Sequence, residues 1–284
     1  MKKCSVCGRR QAVYKRTYSG ELLCKTCLER AVIKGVRRSL AEAHALRPMM
    51  KLLLPLTFSN PLGSLVLASV LPKVERQYNG RVTLALPQSL STDVDEEVLT
   101  RSGLDVVHVK LEPERPPSRD PIECWRFDRR WALRTAFQLS QDAIILPLTR
   151  TDLNLLLIHT ILSGRPEGLS EALPSITWTK PPIISGLSKL EGEIVAAYSA
   201  INKINPPQGC NPDLWASKEL VYSVARRRPE LEFSSHKSLT LLLEGLTRSL
   251  HPRHCRMCGG FTVGNGDVCQ YCSKLDLNAY LVTR

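Results

Sequence analysis

Repeated strand-and-helix units from residue 50 onwards, together with two Cys-x-x-Cys pairs at each terminus, predict an α/β protein. It is read as a parallel, Rossmann-like sheet flanked by N- and C-terminal zinc modules. The chain has 284 residues, 43% hydrophobic and 23% charged, enough for one sizeable core with small satellites. The expected boundaries are a module with a basic helix over 1–47, an α/β body over 48–250 and a second module over 251–284.

The N-terminal set is Cys4, Cys7, Cys24 and Cys27, and the C-terminal set is Cys255, Cys258, Cys269 and Cys272. A Cys-x-x-Cys turn offers two thiolates, and two such turns close a tetrahedron around Zn²⁺. In the second set Gly259, Gly260, Gly264 and Gly266 suit a short ribbon turn. Paired motifs behind a Lys-rich start, with no secretion signal, favour metal over disulfides, and their symmetry favours zinc over an iron–sulfur cluster. His251 and His254 flank Cys255, but four cysteines already fill the tetrahedron. His108 and His159 sit in apolar segments as core histidines.

Glu29 to Leu46 reads as a helix that ends before Pro48, with Lys34, Arg37 and Arg38 on one face. Lys51 to Phe58 is a buried strand, Ser59 to Ser64 a loop and Leu65 to Gln77 a helix. Strands at Arg81 to Leu86 and Asp105 to Leu111 bracket a helix at Asp93 to Ser102. A linker rich in proline (Pro113, Pro116, Pro117, Pro121) leads to a helix at Arg129 to Leu139. A fourth strand (Ala143 to Leu148), a helix (Asp152 to Leu162) and a fifth strand around Ile176 to Ile184 follow. Helices at Leu190 to Ile204, Pro212 to Arg228 and Ser238 to Ser249 complete the body.

No segment approaches the ~20 apolar residues of a membrane span, which implies a soluble, cytoplasmic protein without a membrane partner. The net charge of +12 favours a polyanionic partner, nucleic acid before membrane. The charge clusters at Arg9-Arg10, at Lys34, Arg37 and Arg38, at Arg129-Arg130, and at Arg226, Arg227 and Arg228. The last three groups are the candidate RNA contacts.

Several short segments between the two modules carry a family resemblance: Arg129-Arg130 before an apolar helix, Leu162-Ser163-Gly164, Lys180-Pro181-Pro182 with Glu193 and Tyr198, and Cys210-Asn211-Pro212. In this order the chain resembles, over nearly its full length, the cytosolic tRNA 2-thiouridine synthetases of the PP-loop ATP pyrophosphatase superfamily. That resemblance implies a nucleotide-binding α/β body that adenylates a tRNA uridine and replaces its oxygen with sulfur.

The departures from the family fall on its chemistry. The phosphate loop Ser-Gly-Gly-x-Asp-Ser is reduced to Ser59, Gly63 and Ser64; Asn60 and Pro61 replace the glycines, and Gly63 the metal-holding aspartate. Asp152 is either the remnant of an acidic element or a helix cap. Cys124 and Cys210 are the remaining catalytic-type cysteines, too few for a cluster but enough for a persulfide or disulfide relay if they meet. With no confident catalytic residue, the expectation is a pseudoenzyme with two structural zinc ions and no ATP–Mg²⁺. It would grip tRNA or act as a scaffold beside an active paralogue or sulfur-carrier system, as a homo- or heterodimer. The alternatives are an active sulfurtransferase with a divergent nucleotide site, and a zinc-stabilised protein-interaction regulator.

Overall fold

Apolar runs bounded by turn residues form a seven-stranded sheet in the computed structural model. The structure describes residues 2–210, save 18, 95–98 and 101, and 252–283, save 263–265; between 211 and 251 only scattered residues are described. A hairpin of β1 (Tyr14–Lys15) and β2 (Leu22–Leu23) precedes α1 (Lys25–Glu42). The body runs β3 (Lys51–Pro55), α2 (Pro61–Glu75), β4 (Arg81–Pro87), α3 (Gln88–Ser91), β5 (Asp105–Glu112) and α4 (Pro121–Gln138). It continues with β6 (Ala143–Thr149), α5 (Arg150–Ser163), a 3-10 turn (Pro166–Ala172), β7 (Ser175–Ile176), β8 (Ile183–Leu187) and α6 (Gly192–Asn202). The last described elements are β9 (Arg253–His254), β10 (Phe261–Thr262), α7 (Gln270–Lys274) and β11 (Asn278–Thr283).

The strand order is β11-β5-β4-β3-β6-β8-β7; the inner five are parallel, and β11 and β7 are antiparallel edges. All seven residues of β6 are buried, as expected of a strand covered on both faces. Helix α2 buries ten of its fifteen residues, so its apolar residues do not follow one stripe. Each large side chain buried to this degree, such as Leu67 or Trp131, contributes about 1.5–3 kcal/mol.

Helix starts are where sequence and structure diverge most. Asn60 accepts from the Gly63 N–H at 2.8 Å and Pro61 takes the first helical position, so α2 begins inside the segment expected to be a loop. The Asp120-Pro121 pair does the same for α4, eight residues before the expected Arg129. The single strand expected at 176–184 is two antiparallel strands, divided by a turn with a cis Lys180-Pro181 bond. Strand β11 lies outside the expected elements. Half of the helix expected at 93–102, and most of those expected at 212–228 and 238–249, lie outside the described residues.

Both terminal modules are built into the body. Helix α1 buries Val32, Val36 and Leu40 in the core shared with α2, β8 and α6. Beyond the C-terminal cysteines, β11 pairs with β5 along the sheet edge. Helix α1 and strand β11 thus tie the terminal modules to the body, while the C-terminal cysteines form a small buried cluster of their own.

Candidate functional site

In a sheet of this order the connections diverge between β3 and β6, and the crevice beyond their carboxyl ends is the natural ligand site. Asn60 spans that crevice. Its Nδ2 donates to the Pro147 carbonyl at 3.0 Å and to Asp152 Oδ2 at 3.2 Å, while its Oδ1 caps α2. Asp152 belongs to a capping box in which Thr149, not Asp152, is the N-cap of α5. Gly63 lies against β6: a Cβ there would come within 2.8 Å of the Pro147 oxygen, which leaves no room for an aspartate.

Four of the loop amides that could cradle phosphate have other partners. The Ser59 N–H donates to Asp128, that of Asn60 to Thr57 Oγ1, that of Gly63 to Asn60 Oδ1 and that of Ser64 to the Asn60 carbonyl. Pro61 has none. Ser64 is fully buried and donates its hydroxyl to the Pro55 carbonyl at 3.0 Å. Asp128, which the sequence reading passed over, accepts from the Phe58 N–H (3.0 Å), the Ser59 N–H (2.9 Å), Ser59 Oγ (2.7 Å) and Trp131 Nε1 (3.2 Å). Burial pushes its carboxyl up to about 6, against the opposing pull of these donors. A carboxyl under this loop repels phosphate whenever it is ionised.

Cys124 and Cys210 meet beside the same loop and are joined as a disulfide, with Cα atoms 6.9 Å apart. The Cys210 N–H donates to the Phe58 carbonyl at 2.7 Å, tying that segment to the end of β3. Eight of the ten cysteines belong to the terminal sets, so the crevice has no third thiolate for a cluster.

Each terminal set brings four sulfurs within 4.8 Å of one another and could hold a metal. Cys7 and Cys24 sulfurs are 3.8 Å apart, and those of Cys258 and Cys269 3.9 Å. Four thiolates at ~2.3 Å from one tetrahedral ion lie ~3.8 Å apart. A [4Fe–4S] cluster binds each cysteine through a different iron, which spreads the sulfurs around a cube instead of converging them on one point. The donor geometry therefore fits a single ion.

Arg129 and Arg130, expected as RNA contacts, instead join α4 to the C-terminal set. Arg129 is 2% exposed and pairs with Glu171 at 2.5 Å. Neighbouring Arg126 binds the same carboxylate at 2.9 Å and the Phe261 carbonyl at 3.0 Å. Arg130, half-buried, donates to the Cys272 carbonyl at 3.2 Å and to that of Leu275. Burial is the physical reason for the correction: Arg129 presents no face to a phosphate.

Lys34 and Arg38 are exposed and Arg37 half-buried on α1. This part of α1 docks on the turn after β8, where Gly35 meets Leu190 and Ser39 Oγ accepts from the Lys189 N–H at 3.2 Å. The Arg150 N–H donates to the Leu190 carbonyl, which links that turn to the start of α5. The basic stripe thus reaches the same end of the sheet as the crevice. Arg226 and Arg227 lie outside the described residues; Arg228 is exposed, 3.5 Å from Glu230. Of the histidines, His159 lies 3.8 Å from Asp120, and His254 stacks on Trp178.

Residues 3–29 match the family model described as the N-terminal LIM domain of the 2-thiouridine synthetase TtuA. The fold matches a solved structure, the U34-tRNA thiolase NcsA from Methanococcus maripaludis with its [4Fe-4S] cluster. That match has a TM-score of 0.75 at 20% identity and covers 95% of this chain and 94% of that one. The N-terminal module is thus similar to that domain, and the chain as a whole shares its fold with that structure. No curated protein matches it in sequence. No helix among the described residues is long and apolar enough to cross a membrane.

Proposed function

We propose that the chain serves tRNA thiolation as a tRNA-gripping subunit without nucleotide chemistry of its own. One observation carries the second half of this reading: four amides of the loop after β3 are already bonded within the protein, and Asn60 is strapped across the crevice. Adenylation depends on free donors and a metal ion at the phosphates, and both are lost together here. The first half rests on the N-terminal match, the thiolase fold and the exposed cations of α1. Zinc is the ion assigned to each four-cysteine set, since the sulfur spacing suits one tetrahedral centre; bound there, it braces the module. In this scheme an active paralogue or sulfur-carrier system brings ATP and sulfur to a tRNA held partly by this chain.

The test is a tRNA titration at several salt concentrations with wild type and a Lys34→Ala, Arg37→Ala, Arg38→Ala triple variant. Each lost phosphate contact lowers the salt slope by about 0.7–0.9, so the triple variant should lose about 2–3. Identical binding by the two proteins, or no binding by either at low salt, argues against the reading. The second reading, a working sulfurtransferase, draws on the meeting of Cys124 and Cys210 beside the loop; tRNA-dependent pyrophosphate release from ATP separates the two.

A further inference from the structure

A groove of about 640 Å³ runs between α4, the turn before β8 and the C-terminal four-cysteine set. Four cations line it (Arg130, Arg134, Lys180 and Arg256) with Cys255 of the C-terminal set, and among the described residues no carboxylate does. Two exposed aromatic side chains share it: Phe137, 79% exposed, and Trp178, 38% exposed. The indole is held in place. Its Nε1 donates to the Gly259 carbonyl at 2.8 Å, and His254 stacks on it with ring centroids 4.3 Å apart. Phe261 is 5.6 Å from the indole and only 5.7 Å from His254, so these two rings cannot lie on opposite faces of Trp178. One face of the indole is thus free of both rings.

This combination has a specific chemical reading. Cations without acids attract a polyanion, and solvent-facing aromatic planes suit a partner that brings flat rings of its own. Unpaired nucleotides supply both, whereas duplex RNA keeps its base faces inside the stack. A regular acidic peptide would match the charge but leave Phe137 and the indole face without a use. The groove is also distinct from the crevice. Arg130 to Phe137 lie six to thirteen residues beyond Cys124 on α4, about 9–20 Å along the helix axis.

We propose that this groove binds a single-stranded segment of RNA, stacking bases on Trp178 and Phe137 and placing phosphates against Arg134, Lys180 and Arg256. The proposal rests on the RNA-binding reading above and adds to it a second contact, with an unpaired stretch away from the crevice. The nucleotides concerned are a single-stranded flank or loop of the bound RNA, not its reacting base.

The experiment uses the full, zinc-loaded chain with three probes: a labelled uridine hexamer, an RNA duplex of matched charge and whole tRNA. The hexamer should bind more tightly than the duplex and quench tryptophan fluorescence. Phe137→Ala and Trp178→Ala should each weaken hexamer binding about 5- to 150-fold. Arg134→Ala and Lys180→Ala should each lower the salt slope by about 0.7. Because Trp178 also braces the metal module, its variant counts only with zinc content intact; exposed Phe137 carries the test otherwise. Unchanged hexamer affinity in Phe137→Ala, or preference for the duplex or for a polyglutamate peptide, overturns the proposal. If tRNA binding depends on Lys34, Arg37 and Arg38 but the hexamer does not bind, the groove assignment alone fails. If neither RNA binds at low salt, the RNA reading fails with it.

Discussion

Asn60→Asp separates the strap across the crevice from the cap on α2. Aspartate still offers an oxygen to the Gly63 N–H, and the two residues cap helices about equally well. It cannot donate, so the bonds to the Pro147 carbonyl and the Asp152 carboxylate are lost, and a second carboxylate faces Asp152. A neutral hydrogen bond contributes about 0.5–1.5 kcal/mol and one to a charged group about 1.5–3 kcal/mol, so the loss should be about 2–4 kcal/mol. At about 2–4 °C per kcal/mol, the melting temperature should fall by about 5–15 °C. Asn60→Ala, which also removes the cap, should cost about 1 kcal/mol more from that source, without the carboxylate repulsion. Thermal melts together with urea midpoints at constant m-value give the comparison. If Asn60→Asp melts with the wild type, the strap does not hold the crevice shut, and the structural basis for a lost nucleotide site goes with it.

Other outcomes follow from the same geometry. Metal analysis of the purified chain should find about two zinc ions and no iron–sulfur chromophore. Arg126→Ala removes one of the two arginines on Glu171 and the bond to the Phe261 carbonyl; with Arg129 still pairing the carboxylate it should cost about 1.5–3 kcal/mol and release the C-terminal metal to a chelator before the N-terminal one. Asp128 titrates near 6 in the fold against 3.8 normally, so between those values the folded chain holds a proton that the unfolded chain has released. Its contribution is therefore present in full below the lower value and falls by about 3 kcal/mol as pH rises through the upper one. The stability difference between wild type and Asp128→Asn should show that slope and be flat above about pH 7; a difference independent of pH contradicts the burial argument.

The parallel sheet and the gathering of both four-cysteine sets were legible in the sequence because their signals are local: apolar runs of strand length and cysteine pairs at fixed spacing. The helix starts were legible too, but were passed over. Asn60-Pro61 and Asp120-Pro121 are cap-and-first-turn pairs, and reading them would have put Gly63 and Ser64 inside α2. Arg129 misled because a basic pair looks alike on a surface or in a core; what buries it is Glu171, forty-two residues away and invisible to local pattern. Asp128 gave one usable signal, an acid four residues beyond Cys124. The meeting of Cys124 with Cys210 depends on how the crossovers fold, and spacing carries no trace of it.

The central claim is that the crevice between β3 and β6 no longer handles ATP. Pyrophosphate release from ATP–Mg²⁺ by the zinc-loaded chain, with tRNA present, tests it most directly. Removing one donor of this kind can lower a rate by about 10²–10³, so with several lost the account predicts no release above the protein-free rate. Robust release that depends on tRNA and disappears in Ser59→Ala would contradict it.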